Sequence, residues 1–198
     1  MTLIDFHTHH PSRQGETVLQ QGVHTWGVHP WEASTASTTL PPGNWLAIGE
    51  CGLDKQCNVP MDIQTEAFRK MVAVSEERRL PLILHCVKTQ AELLSIQKET
   101  QSTMPWIHHG FRGKPQQMQQ LIRHGWFISF GSNFNEESAR ECPPERMLIE
   151  TDESPLPVLD IYRRIAILKN TSVERLAAQM QENYFFLFGN RQNCSHSL

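Results

Sequence analysis

No run in this sequence approaches the ~20 consecutive apolar residues of a membrane span, and no early segment carries the apolar core of a signal peptide. Both absences point to a cytoplasmic chain that does not enter a bilayer. Positive charge is not in surplus either: 18 Lys and Arg stand against 21 Asp and Glu, a net charge of −3. That balance excludes a broad basic face for duplex DNA. Nucleic acid stays open as a substrate, because bound metal ions can supply positive charge locally. The five cysteines include no C-x-x-C pair, so free thiols in a reducing compartment are expected rather than a disulfide framework. Internal repeats, long linkers and disorder-like tracts are missing too, although the apolar content of 39% is modest. With 198 residues the chain can build one sizeable core. A single domain over residues 1–190, followed by a polar tail at 191–198, is the expectation.

What is present is a series of short apolar runs, each followed by polar residues and often by helical periodicity. Strands are predicted at Leu3–His7, Thr17–Gln20, Val23–Val28, Trp45–Gly49, Leu82–Cys86, Trp106–His108, Trp126–Phe130 and Met147–Glu150. Asp62 is placed as the cap of a helix reaching Arg79, with Phe68, Met71 and Val72 on its apolar face. Pro115 and Gly125 bracket a second helix. "TSVE" at 171–174 reads as a capping box. Behind it Val173, Leu176, Ala177, Met180, Tyr184 and Leu187 recur at helical spacing as far as Gly189. Alternating strands and helices imply a parallel sheet, open or closed as a barrel. Between His10 and His29 there is no room for a full crossover helix, so a barrel would have to be a trimmed one.

The polar residues carry the chemistry. His7 and His9 end the first run, His29 ends "GVHP", Glu50 ends "WLAIGE", His85 ends "PLILH", His108 and His109 end "WIHH", and Asp152 ends "MLIETD". In parallel α/β folds function sits at the carboxyl ends of strands, and each of these residues can bind a metal. His7 and His9, two apart in a strand, point the same way and can hold one ion. Two ions about 3.5–4 Å apart would share a bridging carboxylate and activate a water. Glu50 is the bridging candidate, and Asp152 suits a ligand that also takes the water's proton. Neutral imidazole suits zinc, manganese or iron, and carboxylates add charge and can bridge. Asp5 either orients His7, ligates, or is a buried structural carboxylate. Arg112 and Lys114 either meet a phosphate or are solvated loop charges. His10, His24, His124 and His196 carry no constellation and read as structural or surface groups. Cys51 and Cys86 neighbour site residues but alternate to the other side of their strands.

Taken in order, "IDFHTHH", "GVHPW", "AIGECGLD", "RLPLILHC", "HGFRG", "LIETDESP" and "ENYFFLFG" resemble the successive signatures of the TatD family across residues 4–189. The resemblance implies an α/β fold, a distorted and trimmed TIM (β/α) barrel of the metal-dependent hydrolase type. It also implies two divalent metal ions (Zn, Mg or Mn) and deoxyribonuclease activity on DNA or a small phosphoester. Metal-binding roles fall on His7, His9, Glu50, His85, His109 and Asp152, with Asp152 and Glu50 also catalytic. His109 is selected over His108 because the family's ligand stands three positions before the Arg of "HGFRG". His29 and Arg112 are the implied substrate contacts. Three features depart from the family pattern: the short segment between "DFHTHH" and "GVHPW", Arg112 where a small residue is usual, and the compact stretch after Ser154. All lie in loops that grip a substrate. Hydrolysis of a small amide, lactone or cyclic compound is therefore a second reading, and a silent barrel acting as a binding module is a third.

Overall fold

The computed structural model describes residues 2–13 and 15–189; the expected tail at 191–198, with Cys194 and His196, lies outside the described residues. The strands run β1 (Leu3–Thr8), β2 (Glu16–Gln20), β3 (Thr25–Trp26), β4 (Ala47–Asp54), β5 (Leu82–Val87), β6 (Trp106–His108), β7 (Phe127–Phe130) and β8 (Met147–Ile149). The helices are α1 (Met61–Arg78), α2 (Gln90–Thr100), α3 (Pro115–Arg123), α4 (Glu136–Glu141), α5 (Val158–Leu168) and α6 (Val173–Phe188). The chain divides into two compact units. One comprises the described residues of Met1–Gln20 and Gly110–Leu198, the other Gln21–His109.

In the second unit β3, β4, β5 and β6 pair in parallel, in chain order. Helices α1 and α2 form the crossovers, as the alternation of patterns requires. Helix α1 buries Phe68, Met71 and Val72, and Phe68 meets Trp106 edge-on at 5.4 Å between ring centroids. The helix starts one residue before Asp62: Pro60 occupies the cap position with φ −55° and ψ 144°, a backbone that proline favours. Asp62 therefore sits in the first turn. The chain leaves α1 through Arg79 in the left-handed conformation.

Five strands differ from the sequence expectation by a single residue at one end, and two differ by more. Val23–Val28 shrinks to Thr25–Trp26, and Trp45–Gly49 shifts and lengthens to Ala47–Asp54. Gly49, Gly52 and the charged residues read as strand breakers, yet the ladder runs on because β5 supplies partners through Gly52↔His85 and Asp54↔Val87. Glu50 consequently lies inside β4 rather than at its end. Glycine is required at 52, where φ is +141° and a Cβ would fall 2.1 Å from the His85 carbonyl oxygen. Gly52→Ala is expected to destabilise the protein by about 3 kcal/mol, the scale of severe backbone strain. An unchanged chemical denaturation midpoint would show that the two strands can separate at no cost.

In the other unit β1 pairs in parallel with β2, and β7 with β8. A parallel bridge between Thr8 and Asp152 sets the end of the first strand beside the end of the last, the adjacency expected of first and last strands in a barrel. Tyr162 of α5 bonds β1 from both sides: its hydroxyl donates to the Ile4 carbonyl at 2.9 Å and accepts from the Ile4 N–H at 3.2 Å. Helix α6 packs Tyr184 and Phe188 on Phe6. Its Asn183, buried, donates to the carbonyls of Met147 and Pro144. That double bond is the physical role of the asparagine in "ENYFFLFG". The cap falls one residue after the expected Thr171: Ser172 is the cap and accepts from the Arg175 N–H. Among the described residues no helix is long and apolar enough to cross a membrane.

Candidate functional site

In the first unit, His7 lies in β1 and His9 just past its end, and their rings pack edge-to-face. Asp152 comes to them from the loop after β8. Its Oδ1 lies 3.7 Å from His7 Nε2 and 3.6 Å from His9 Nε2. The backbone enforces this approach: the Asp152 N–H donates to the His7 carbonyl at 2.9 Å, and the His9 N–H donates to the Asp152 carbonyl at 3.1 Å. Asp152 adopts φ +55°, a left-handed conformation that aspartate tolerates better than most residues.

Asp5 anchors the same loop. Its two oxygens accept from the N–H and the hydroxyl of Thr151, at 2.9 and 2.6 Å. Thr151 Oγ1 also meets Thr8 Oγ1 at 2.9 Å. Burial raises the Asp5 carboxyl to about 7, against the lowering effect of the two Thr151 bonds. Of the roles open to Asp5, holding the Asp152 loop against β1 is the one these contacts fill. A cleft of about 300 Å³ opens on that loop, lined among others by Arg112, Asn133, Glu150, Asp152 and Glu153. Glu150 is fully buried and accepts from the Gly110 N–H. Arg112 and Lys114 are both exposed, and of the two only Arg112 lines this cleft. His10 points elsewhere, to the Glu153 carbonyl.

The second unit holds the other cluster. Glu50 Oε1 lies 2.8 Å from His85 Nδ1, 2.6 Å from His109 Nε2 and 3.5 Å from His29 Nε2. His109, not His108, reaches Glu50; His108 Nδ1 turns to the His109 carbonyl at 2.8 Å. His29 Nε2 is 3.2 Å from His85 Nδ1, so the residue expected at a substrate phosphate sits inside the donor cluster. His85 Nε2 faces a second carboxylate, Asp54 Oδ2, at 3.1 Å. The ladder explains this. Gly52 lies opposite His85 and puts no side chain between Glu50 and Asp54, leaving the imidazole room between two carboxylates. Burial pushes the Asp54 carboxyl up, but bonds from Trp31, Gln56 and His85 outweigh it and leave the group lowered. Cys51 is buried at 0% exposure, and Cys86 Sγ accepts from the Thr89 hydroxyl.

Each cluster passes a chemical test for a divalent ion. One ligand atom each from His7, His9 and Asp152 lie within 4.8 Å of one another, as do one each from His29, Glu50 and His85. Mixed imidazole and carboxylate donors suit first-row divalent ions. Sequence reasoning passed over Asp54, Thr151 and Trp31. The period-2 rule that paired His7 with His9 also pairs Gly52 with Asp54 and so could have flagged Asp54. Nothing local marks Thr151, whose partner is 146 positions away.

Parallel strands with crossover helices and His/carboxylate clusters on or just after those strands are the features of an α/β metal-dependent hydrolase class. A family model described as "TatD related DNase" matches residues 12–189. The chain belongs to the TatD family of metal-dependent hydrolases. It is 31% identical to an uncharacterized metal-dependent hydrolase, YabD, of Bacillus subtilis, over 72% of this chain and 65% of that one. It therefore spans just under two thirds of that relative's length. It is 30% identical to the 3′-5′ ssDNA/RNA exonuclease TatD of Citrobacter rodentium, over 90% of this chain and 82% of that one. Among solved structures, YJJV, a TatD homolog from Escherichia coli, is similar with a TM-score of 0.74 at 20% identity, covering 89% and 78% of the two chains. A TatD family hydrolase from Entamoeba histolytica gives 0.66 at 20% identity, covering 73% and 64%. These likenesses give the fold as the distorted TIM-barrel type expected from the sequence.

Proposed function

We propose that the protein is a metal-dependent phosphodiesterase that trims single-stranded nucleic acid from the 3′ end. One ion would be held by His7, His9 and Asp152, and a second by Glu50, His85 and His109. When bound, such divalent ions supply Lewis-acid charge at a phosphate and lower the pKa of a water. The chain's own contribution at the first cluster is a positioned carboxylate. Asp152 is partly exposed, its backbone is bonded to His7 and His9, and its loop is anchored by Asp5 through Thr151. It can accept a proton at Oδ1 without losing its place. Arg112, on the cleft wall beside Asp152, is assigned to a substrate phosphate. His29, which sits among these donors against Glu50 and His85, is likewise assigned to a substrate phosphate.

The observation that carries this reading is the His7–His9–Asp152 cluster opening onto a cleft lined by the same Asp152 loop. The relatives named as 3′-5′ ssDNA/RNA exonucleases support the choice of nucleic acid. The described cysteines are free thiols, in keeping with a cytoplasmic location. One observation favours a second reading, hydrolysis of a small amide, lactone or cyclic substrate: the cleft volume of about 300 Å³ is at the lower end for small-molecule sites. To decide, metal-stripped protein is reconstituted separately with magnesium, manganese or zinc and incubated with end-labelled single-stranded DNA. Stepwise shortening that depends on the ion is the expected result. No shortening while metal is demonstrably bound, together with turnover of amides or lactones, would transfer the assignment to the small-substrate reading.

A further inference from the structure

We propose that Trp31 is a stacking platform for a nucleobase of the substrate strand, an assignment that rests on the phosphodiesterase reading and specifies how its substrate class is recognised. Trp31 is 63% exposed, whereas Trp106 and Trp126 are almost completely buried. An exposed indole is normally free to rotate, but this one is pinned. Its Nε1 donates to Asp54 Oδ2 at 2.7 Å, its backbone N–H donates to His29 Nδ1 at 3.3 Å, and its ring meets the His29 ring at 5.3 Å with an interplanar angle of 82°. A large apolar face is thus held in one orientation while open to solvent. Little side-chain freedom remains to be lost when a flat ligand settles on it.

The surroundings fit a base. A recess of about 330 Å³ is lined by Trp31, Gln56, Cys57, Asn58 and Val59. Gln56 and Asn58 are exposed, and each carboxamide both donates and accepts, as the edge of a base requires. The Gln56 N–H is itself bonded to Asp54 Oδ1 at 2.7 Å. Asp54 therefore ties together the platform, the recess and His85, placing base recognition beside the Glu50–His85 donors. The chain's net charge of −3 offers no general attraction for a polyanion. Stacking supplies affinity that does not depend on such charge, and it tolerates any sequence because every base has a π-face.

The test compares a fluorescein-labelled single-stranded deoxyhexamer with a strand of equal length in which tetrahydrofuran spacers replace the bases. Turnover is measured on the metal-loaded chain, and equilibrium binding by anisotropy on the metal-stripped chain. Trp31→Ala is expected to raise KM and Kd for the base-bearing strand roughly ten-fold, the scale of one stacked base, with kcat and abasic-strand binding unchanged. Trp31→Phe, which keeps an aromatic face but loses the bond to Asp54, is expected to fall between wild type and Trp31→Ala for the base-bearing strand. The proposal is overturned if Trp31→Ala binds the base-bearing strand as wild type does, or weakens both strands equally. Failure of the wild type to cleave either strand would remove the phosphodiesterase reading. The anisotropy comparison would then decide on its own, preference for bases lost in Trp31→Ala upholding the platform and no preference overturning it.

Discussion

Asp152→Asn is expected to lower kcat by about 10³-fold, within the range for loss of a general base, while the protein folds as before. Residue 152 is bonded into place through its own backbone: the N–H to His7, the carbonyl to His9 and the parallel bridge to Thr8. Asparagine keeps those bonds and is at ease at φ +55°. What it removes is the negative charge and the proton acceptor beside two imidazole nitrogens. A thermal midpoint near wild type combined with lost turnover is therefore the expected pair of results. Wild-type turnover in the variant would take Asp152 out of the mechanism. A protein that fails to fold would instead mean that the carboxylate charge holds the loop, contrary to the contacts from Asp5 and Thr151.

The second large effect belongs to Glu50. Its Oε1 is the common neighbour of His29, His85 and His109, and its side chain is almost fully buried. Glu50→Gln preserves shape and the backbone bond to Gln21 but replaces an anion with a neutral amide. Changing a residue that merely orients a ligand typically costs about 10–100-fold in metal affinity. Loss of a carboxylate ligand is expected to exceed that, weakening zinc or manganese binding by more than about 100-fold. Titration calorimetry on the metal-stripped protein reads this directly. Affinity within a few-fold of wild type would exclude Glu50 as a ligand and leave it a hydrogen-bond acceptor for the histidines. Asp54 provides the contrast: it meets His85 from the other nitrogen and also holds Trp31.

How far the site could be read in advance depended on where each partner comes from. Pairing His7 with His9 needed only the two-residue spacing of an extended segment, although the strand itself closes at Thr8 and His9 stands just beyond it. The selection of His109 over His108 needed the family pattern, and the structure sets His109 at Glu50. Helix α1 kept its apolar face but not its expected cap, because Pro60 takes the capping position two residues before Asp62. Strand β4 extends past the apolar run Trp45–Gly49, because a parallel neighbour on β5 carries the ladder through glycine and charged residues that local propensity disfavours in a strand.

By itself, the sequence determined the α/β class, the run of metal-capable residues near strand ends, and the pairing of His7 with His9. These follow from local periodicity and side-chain chemistry, which each segment carries with it. Only the tertiary structure decided that Asp5 anchors the Asp152 loop, that His85 stands between two carboxylates, and that Trp31 is fixed beside His29 with its face open. Those facts depend on strand register and on partners up to 146 positions apart. A contact of that kind exists only after the chain has closed on itself, because no segment holds both of its ends.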